Sequence, residues 1–262
     1  MKSRLDAELV RRGLARSREV ASDLISNGQV LVNGIAVTKQ ASIVDAQSSI
    51  KLADDHDEFV SRGGHKLAGA LSVFTTLQIS NKIALDAGAS TGGFTDVLLK
   101  KGAKKVIAVD VGYGQLAWQL QSDPRVQVLD RVNVRHLTLQ QVGQAVDLVV
   151  ADLSFISLKL VLPALFTVAK SDADILVMVK PQFEVGRERL GAGGVVRDAT
   201  LRKDAVISIA NAAFEQGFGC NGVVASSLPG PAGNVEYFLW LKKDAPALSE
   251  VDLDLAIQMG PE

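Results

Sequence analysis

The chain has 262 residues, 47% of them apolar, with 28 Lys plus Arg against 29 Asp plus Glu. This length predicts one large domain, or a medium domain with a small companion, and the apolar content excludes disorder as a description of the whole. One cysteine, Cys220, excludes a disulfide scaffold and any multi-thiolate zinc site. The start MKSRLDAELV lacks the apolar core of a signal peptide. The most apolar stretch, residues 146–169, is interrupted by Asp147, Asp152, Lys159 and Pro163, so no membrane span is expected. A soluble cytoplasmic protein follows. The net charge of −1, taken alone, speaks against nucleic acid.

The first sixty residues read differently from the rest. Ser3-Arg4-Leu5-Asp6 fits a capping box, with Leu5, Leu9 and Val10 at helical spacing and Gly13 as a stop. A second short helix starts at Ser17, with Val20, Ala21, Leu24 and Ile25 inward and Gly28 ending it. Two β-prone triplets, 30–32 and 35–37, flank Asn33-Gly34, a hairpin signal because both turn residues must adopt positive φ. Residues 1–40 hold seven basic and four acidic residues, net +3. On this reading Arg4 and Arg11, seven apart, share a helix face, Arg12 follows, and Arg16 and Arg18 flank the start of the second helix. A helix start offers backbone N–H groups and a positive dipole end to a phosphate. Solvated arginines on two amphipathic helices explain the same pattern equally well. Asp54, Asp55, Asp57 and Glu58 form an acidic run expected to be an exposed linker.

From Lys82 onward strand and helix alternate. Strands are expected at 83–86, 106–110, 126–129, 146–151, 175–179, 223–226 and 235–241. The first five are short apolar runs separated by helix-length segments, which predicts a parallel sheet covered on both faces. The last two are joined by a segment too short for a crossover helix, so they must pair antiparallel. That arrangement is found in Rossmann-like methyltransferases and argues against a dinucleotide dehydrogenase.

The first strand leads into Leu85-Asp86-Ala87-Gly88-Ala89-Ser90-Thr91-Gly92-Gly93-Phe94, where small residues let the backbone approach a ligand at the switch point of the sheet. Asp110 ends the second strand, where an acidic side chain accepts hydrogen bonds from a cofactor's ribose hydroxyls. Together with the terminal hairpin, these features favour S-adenosylmethionine as cofactor. Asp130 and Asn133 are candidates for its adenine end. Asp152 and Lys180 close the fourth and fifth strands at the same edge, and a buried lysine there is costly unless paired or used. The plainer alternative is a salt bridge that merely finishes the sheet edge. Amine-methylating enzymes often carry Asn/Asp-Pro-Pro-aromatic at this turn, whereas here it reads Asp152-Leu153-Ser154-Phe155. A ribose hydroxyl is a poorer nucleophile, and a lysine amine kept neutral by burial and a second lysine can deprotonate or orient it. Glu236, expected on the final strand, would balance the charge.

The helix–helix–hairpin module with its arginines resembles the ribosomal-protein-S-four-type RNA-binding domain, also called the alpha-L motif. The remainder resembles the FtsJ-type ribose 2′-O-methyltransferases. Together with SRGGHKL, LDAGASTGGFTDVLL, ADLSFISL, VKPQFEVGRE and GGVVRD, the chain is similar to the TlyA (haemolysin A) family over roughly residues 1–243. The resemblance implies a Rossmann-like α/β fold, with a mostly parallel seven-stranded sheet whose last strand is antiparallel, behind a small α+β RNA-binding domain. It implies an RNA-binding domain over 1–59, an interdomain linker and the start of the catalytic domain at 60–66, a methyltransferase domain over 67–245 and a tail at 246–262. It further implies a catalytic tetrad of Lys66 in GGHKL, Asp152 in ADLSF, Lys180 in VKPQF and Glu236 in NVEYF. The implied substrate is cytidine ribose in ribosomal RNA or ribosomal subunits, with S-adenosylmethionine as cofactor. Gly63-Gly64 would then turn the chain tightly where the domains meet.

Arg187, Arg189, Arg197 and Arg202 surround Gly191, Gly193 and Gly194, which suggests a flexible basic loop reaching RNA phosphates, as Arg62 would also do. His56, His65 and His136 lack metal-ligand spacing, so no metal is expected. Cys220 is expected just before the sixth strand as a small buried apolar group. Thirteen aromatics are too few for an extensive base-stacking platform. A non-catalytic assembly factor and a membrane-active haemolysin are the competing functions.

Overall fold

The computed structural model describes residues 2–33, 35–45, 48–52 and 59–261. The acidic run at 54–58, with His56, and the second hairpin residue Gly34 lie outside them. The chain divides into two compact units, residues 1–58 and 59–262.

In the first unit β1 (Lys2–Arg4) leads into α1 (Leu5–Arg11), followed by α2 (Arg18–Ser26), β2 (Val30–Val32), β3 (Ile35–Ala36), β4 (Ile43–Asp45) and β5 (Ile50–Leu52). β1 pairs antiparallel with β4, and β2 pairs antiparallel with both β3 and β5. Leu5, Leu9, Ala21, Ile25, Val30 and Ile50 form its core. Ser17 caps α2 by accepting the Val20 N–H at 3.2 Å, and Asn33 adopts the positive φ expected of the hairpin. The capping box at Ser3 does not form. Ser3 is paired to Val44 in β1, and its hydroxyl donates to the Glu8 carboxylate instead. Arg4 consequently precedes the helix and does not share a helical face with Arg11.

The second unit begins with α3 (Arg62–Val73) and continues through β6 (Ile83–Ala87), α4 (Gly93–Lys100), β7 (Lys105–Asp110), α5 (Trp118–Gln121), β8 (Val126–Asp130), α6 (Leu139–Val142), β9 (Val146–Ala151), α7 (Leu162–Val168), β10 (Ala169–Val179), α8 (Ala199–Phe214), β11 (Phe218–Ala225), β12 (Tyr237–Lys243) and α9 (Glu250–Gln258). The seven strands lie in the order β11-β12-β10-β9-β6-β7-β8. β10, β9, β6, β7 and β8 run parallel, and β12 is antiparallel to both β10 and β11. Both faces are buried. Leu85, Val149 and Val177 enter one apolar core, while their neighbours Ala84, Leu148 and Leu176 enter the other. Burial on both faces is the physical cause of the continuous apolar runs.

Several boundaries differ from expectation. β10 runs eleven residues from Ala169, through Lys170, Ser171 and Asp172, where no apolar pattern announces a strand. β11 starts at Phe218 and contains Cys220, whose thiol burial pushes up to about 11. Glu236 immediately precedes β12 and is not on it. Gly63 and Gly64 sit inside the first turn of α3, so they make no tight turn. Gly64 is needed for space, because a Cβ there would overlap the Phe59 ring. The expected tail contains α9, which buries Leu253 and Ala256 against the sheet. No helix among the described residues is long and apolar enough to cross a membrane.

Candidate active site

β6 ends in a turn that only small residues can make. Gly88 has φ +86°, Ser90 +47° and Gly92 +99°, and Gly92 caps the start of α4. A Cβ on Gly88 would lie 2.5 Å from the Asp152 carbonyl oxygen, so the turn and the end of β9 share one narrow space. Asp110, closing β7, accepts the N–H of Ser90 at 2.8 Å and of Gly112 at 2.7 Å. These contacts fix the turn's shape. Gly88, Ser90, Asp110, Val111, Asn133 and Asp152 help wall a cleft of about 540 Å³. Asn133 thus reaches the cleft, but Asp130 does not line it and accepts the Gly114 N–H at 2.9 Å.

Asp86 lies beneath the turn with no exposed surface. One of its oxygens accepts the Thr95 hydroxyl at 2.7 Å, and the other has no hydrogen-bond partner among the described residues. Burial, with further repulsion from Asp152 and Asp110, pushes this carboxyl up to about 7. Asp86 therefore supports the cleft from behind rather than lining it.

An adjoining cleft of about 240 Å³ is walled in part by Lys66, Gly88, Thr91, Gly93, Phe94, Asp152 and Lys180. Two lysine–carboxylate pairs meet there. Lys180 Nζ lies 2.5 Å from Asp152 Oδ1, and Lys66 Nζ lies 2.6 Å from Glu236 Oε2. Lys66, Lys180 and Glu236 are each less than a tenth exposed, so each charge requires its partner. The fold supplies the geometry. β9 and β10 are parallel neighbours, so Asp152 and Lys180 leave the sheet at the same edge. Lys66 comes from α3 and Glu236 from the residue before β12. Two neighbours went unassigned from sequence: Ser154, which accepts from Lys180 Nζ at 2.9 Å, and Gln182, whose amide donates to Glu236 Oε1 at 3.4 Å. A hydroxyl two residues beyond a strand-end aspartate was the available signal for Ser154.

The expected RNA-contacting arginines divide into two groups. Arg4 is paired with Asp6 at 3.0 Å, and Arg11 and Arg12 both grip the buried Glu8, Arg12 at 2.7 Å. These arginines hold their own unit together, and Arg11 and Arg12 pull Glu8 far below the usual carboxylate range. Arg16, Arg18, Arg187 and Arg189 are exposed, and Arg62 lines the smaller cleft. The glycine-rich loop expected to be flexible is tethered. The buried Asn234 accepts the Val196 N–H at 2.9 Å and donates to the Gly194 carbonyl at 3.0 Å.

A family model of FtsJ-like methyltransferases matches residues 59–243, and an S4-domain model matches residues 3–50. The chain is 55% identical to the 16S/23S rRNA (cytidine-2′-O)-methyltransferase TlyA of Mycobacterium tuberculosis, covering 98% of this chain and 96% of that one. It is 37% identical to Hemolysin A of Brachyspira hyodysenteriae, over 89% of this chain and 97% of the other. A solved structure from Streptococcus thermophilus, described as a candidate hemolysin, superposes with a TM-score of 0.77 at 36% identity, covering 98% and 94% of the two chains. With its paired lysines and carboxylates beside a glycine-rich turn, and with an S4 domain ahead of it, the chain belongs to the FtsJ-like methyltransferases, in the TlyA (haemolysin A) family.

Proposed function

We propose that this protein methylates the 2′-hydroxyl of cytidine ribose in ribosomal RNA, using S-adenosylmethionine and acting on ribosomal subunits in the cytoplasm. One observation carries the reading. Lys180–Asp152 and Lys66–Glu236 meet at the carboxyl edge of the sheet, beside a turn built for close backbone approach.

The residues present fit the cofactor. Gly88 and Gly93 let the turn pack tightly against Asp152 and Ser61, which brings its backbone to the cleft wall, and Asp110 stands at the cleft with lone pairs left for ribose hydroxyls. Asp110, Asn133 and the backbone of 88–93 would hold it, with Thr91 and Phe94 nearby and Asp86 and Gly92 shaping the turn. When bound, S-adenosylmethionine supplies an electrophilic methyl group on a sulfonium. The protein's part is to place and activate the acceptor. Lys180, held by Asp152, orients the ribose hydroxyl and, as the free amine, receives its proton as the oxygen becomes nucleophilic. Lys66 and Glu236, hidden from water, fix the opposite wall and keep the charge of the site balanced. Arg16, Arg18, Arg62, Arg187 and Arg189 would make phosphate contacts, and Arg4, Arg11 and Arg12 would keep the amino-terminal unit in shape for them.

Incubation with methyl-labelled cofactor and ribosomal subunits tests this. The wild type should label rRNA at ribose 2′-oxygens, and Lys180→Ala should reduce transfer at least a hundredfold while binding the cofactor unchanged by calorimetry. Full transfer by Lys180→Ala would refute the assignment. No labelling by wild type, together with no thermal stabilisation by the cofactor, would favour a non-catalytic RNA-binding role.

A further inference from the structure

Which way the head of a lysine points depends on the groups that hold it. In this site Lys180 Nζ touches Asp152 Oδ1 at 2.5 Å and Ser154 Oγ at 2.9 Å. Both partners come from the same short segment, the turn that follows β9. Their burial differs: Asp152 is partly covered, whereas Ser154 is exposed and lines both clefts. Asp152 alone would leave the amine free to swing about the contact, since a charge pair is weakly directional and the four-carbon stem is flexible. A second contact from the cleft side removes that freedom. Among the described residues Lys180 has these two partners only, a charge contact with Asp152 and a hydrogen bond to Ser154, and the rest of the amine is left to face a substrate oxygen.

Resting on the methyltransferase reading above, we infer that Ser154 is a positioning residue for methyl transfer, acting through Lys180. Its hydroxyl oxygen accepts from the amine and fixes the rotation of the lysine head, so that the free side of the amine faces the acceptor hydroxyl. The nearby Ser157 does something else. Its hydroxyl donates to Glu184 at 2.5 Å, and that carboxylate also accepts the Leu158 N–H, which shapes the loop. Two serines in one loop thus serve two ends, and only Ser154 faces the reacting groups.

Ser154 is exposed, so its substitution does not threaten folding. Ser154→Ala should lower kcat for rRNA methylation about tenfold, the size of losing one hydrogen bond to a charged group. KM for the ribosomal substrate and the cofactor Kd should stay within twofold, and Ser154→Thr, which keeps the hydroxyl, should recover most of kcat. An unchanged kcat in Ser154→Ala while Lys180→Ala is inactive would overturn the inference and leave the methyltransferase reading intact. A rise in KM or cofactor Kd that accounts for the loss, or no recovery with threonine, would also overturn it. Absence of ribose methylation by the wild type would instead fail the underlying reading.

Discussion

Asp86 shows what one buried carboxyl does to the molecule. Its folded-state value of about 7 stands against ~3.9 in an unfolded chain, so the native protein keeps a proton that the unfolded chain releases. The resulting stabilisation is fully present below about pH 4 and is lost as the pH rises through about 7. Asp86→Asn keeps the size and a contact for Thr95 but cannot ionise. Urea unfolding at pH 5 and pH 7.5 should show wild type losing more stability over that interval than the variant. Parallel pH dependence in the two proteins would refute the assignment. At this scale legibility was uneven. Asp152 and Lys180 could be found because charged residues ending apolar runs are conspicuous. Lys66 could be named only through family resemblance, since nothing local marks one lysine of an amphipathic helix as the partner of a glutamate 170 positions away.

Among the elements, the pairing of β10 with β12 is secured at the edge opposite the clefts by Asp174. This buried carboxylate accepts from Lys82 at 2.7 Å, Trp240 Nε1 at 3.0 Å and Lys242 at 3.3 Å, and these contacts hold it below its ordinary range against the cost of burial. Asp174→Ala strands two cations and an indole N–H, and should cost about 1.5–3 kcal/mol of stability by denaturant unfolding. Cofactor affinity should be unaffected, because the site lies at the other end of the strands; a change in affinity with unchanged stability would contradict this. Strand identity was readable from residue patterns because burial on both faces demands continuous apolar runs. Strand length was not: β10 reaches back through Lys170 and Asp172, whose side chains are exposed, across a register irregularity between Ala169 and Asp174 that no apolar pattern announces. The capping box failed for a related reason. Ser3 has the right chemistry for a cap, but pairing with β4 claims its backbone first.

For the whole molecule, the two units have separate cores, so each should fold without the other. A fragment starting at residue 53 should keep cofactor binding and lose most affinity for ribosomal subunits. The full chain's affinity should fall steeply with added salt, as phosphate contacts require. Retention of full rRNA affinity by the fragment would remove the amino-terminal unit from recognition. The overall charge of −1 conceals the net +3 of the first forty residues, and location rather than total charge indicates a nucleic-acid partner. Sequence by itself determined the two-part organisation, the parallel sheet with its antiparallel end, the glycine-rich turn and the strand-end charges. These are set by local periodicity and by residues whose chemistry is unusual where they stand. Only the tertiary structure decided which charges pair. It brought Lys66 to Glu236 and Ser154 to Lys180, gave Arg11 and Arg12 to Glu8, and set Asp86 behind the cleft. Pairing depends on separations of a few ångströms between residues far apart in the chain, and that information exists only once the core has packed.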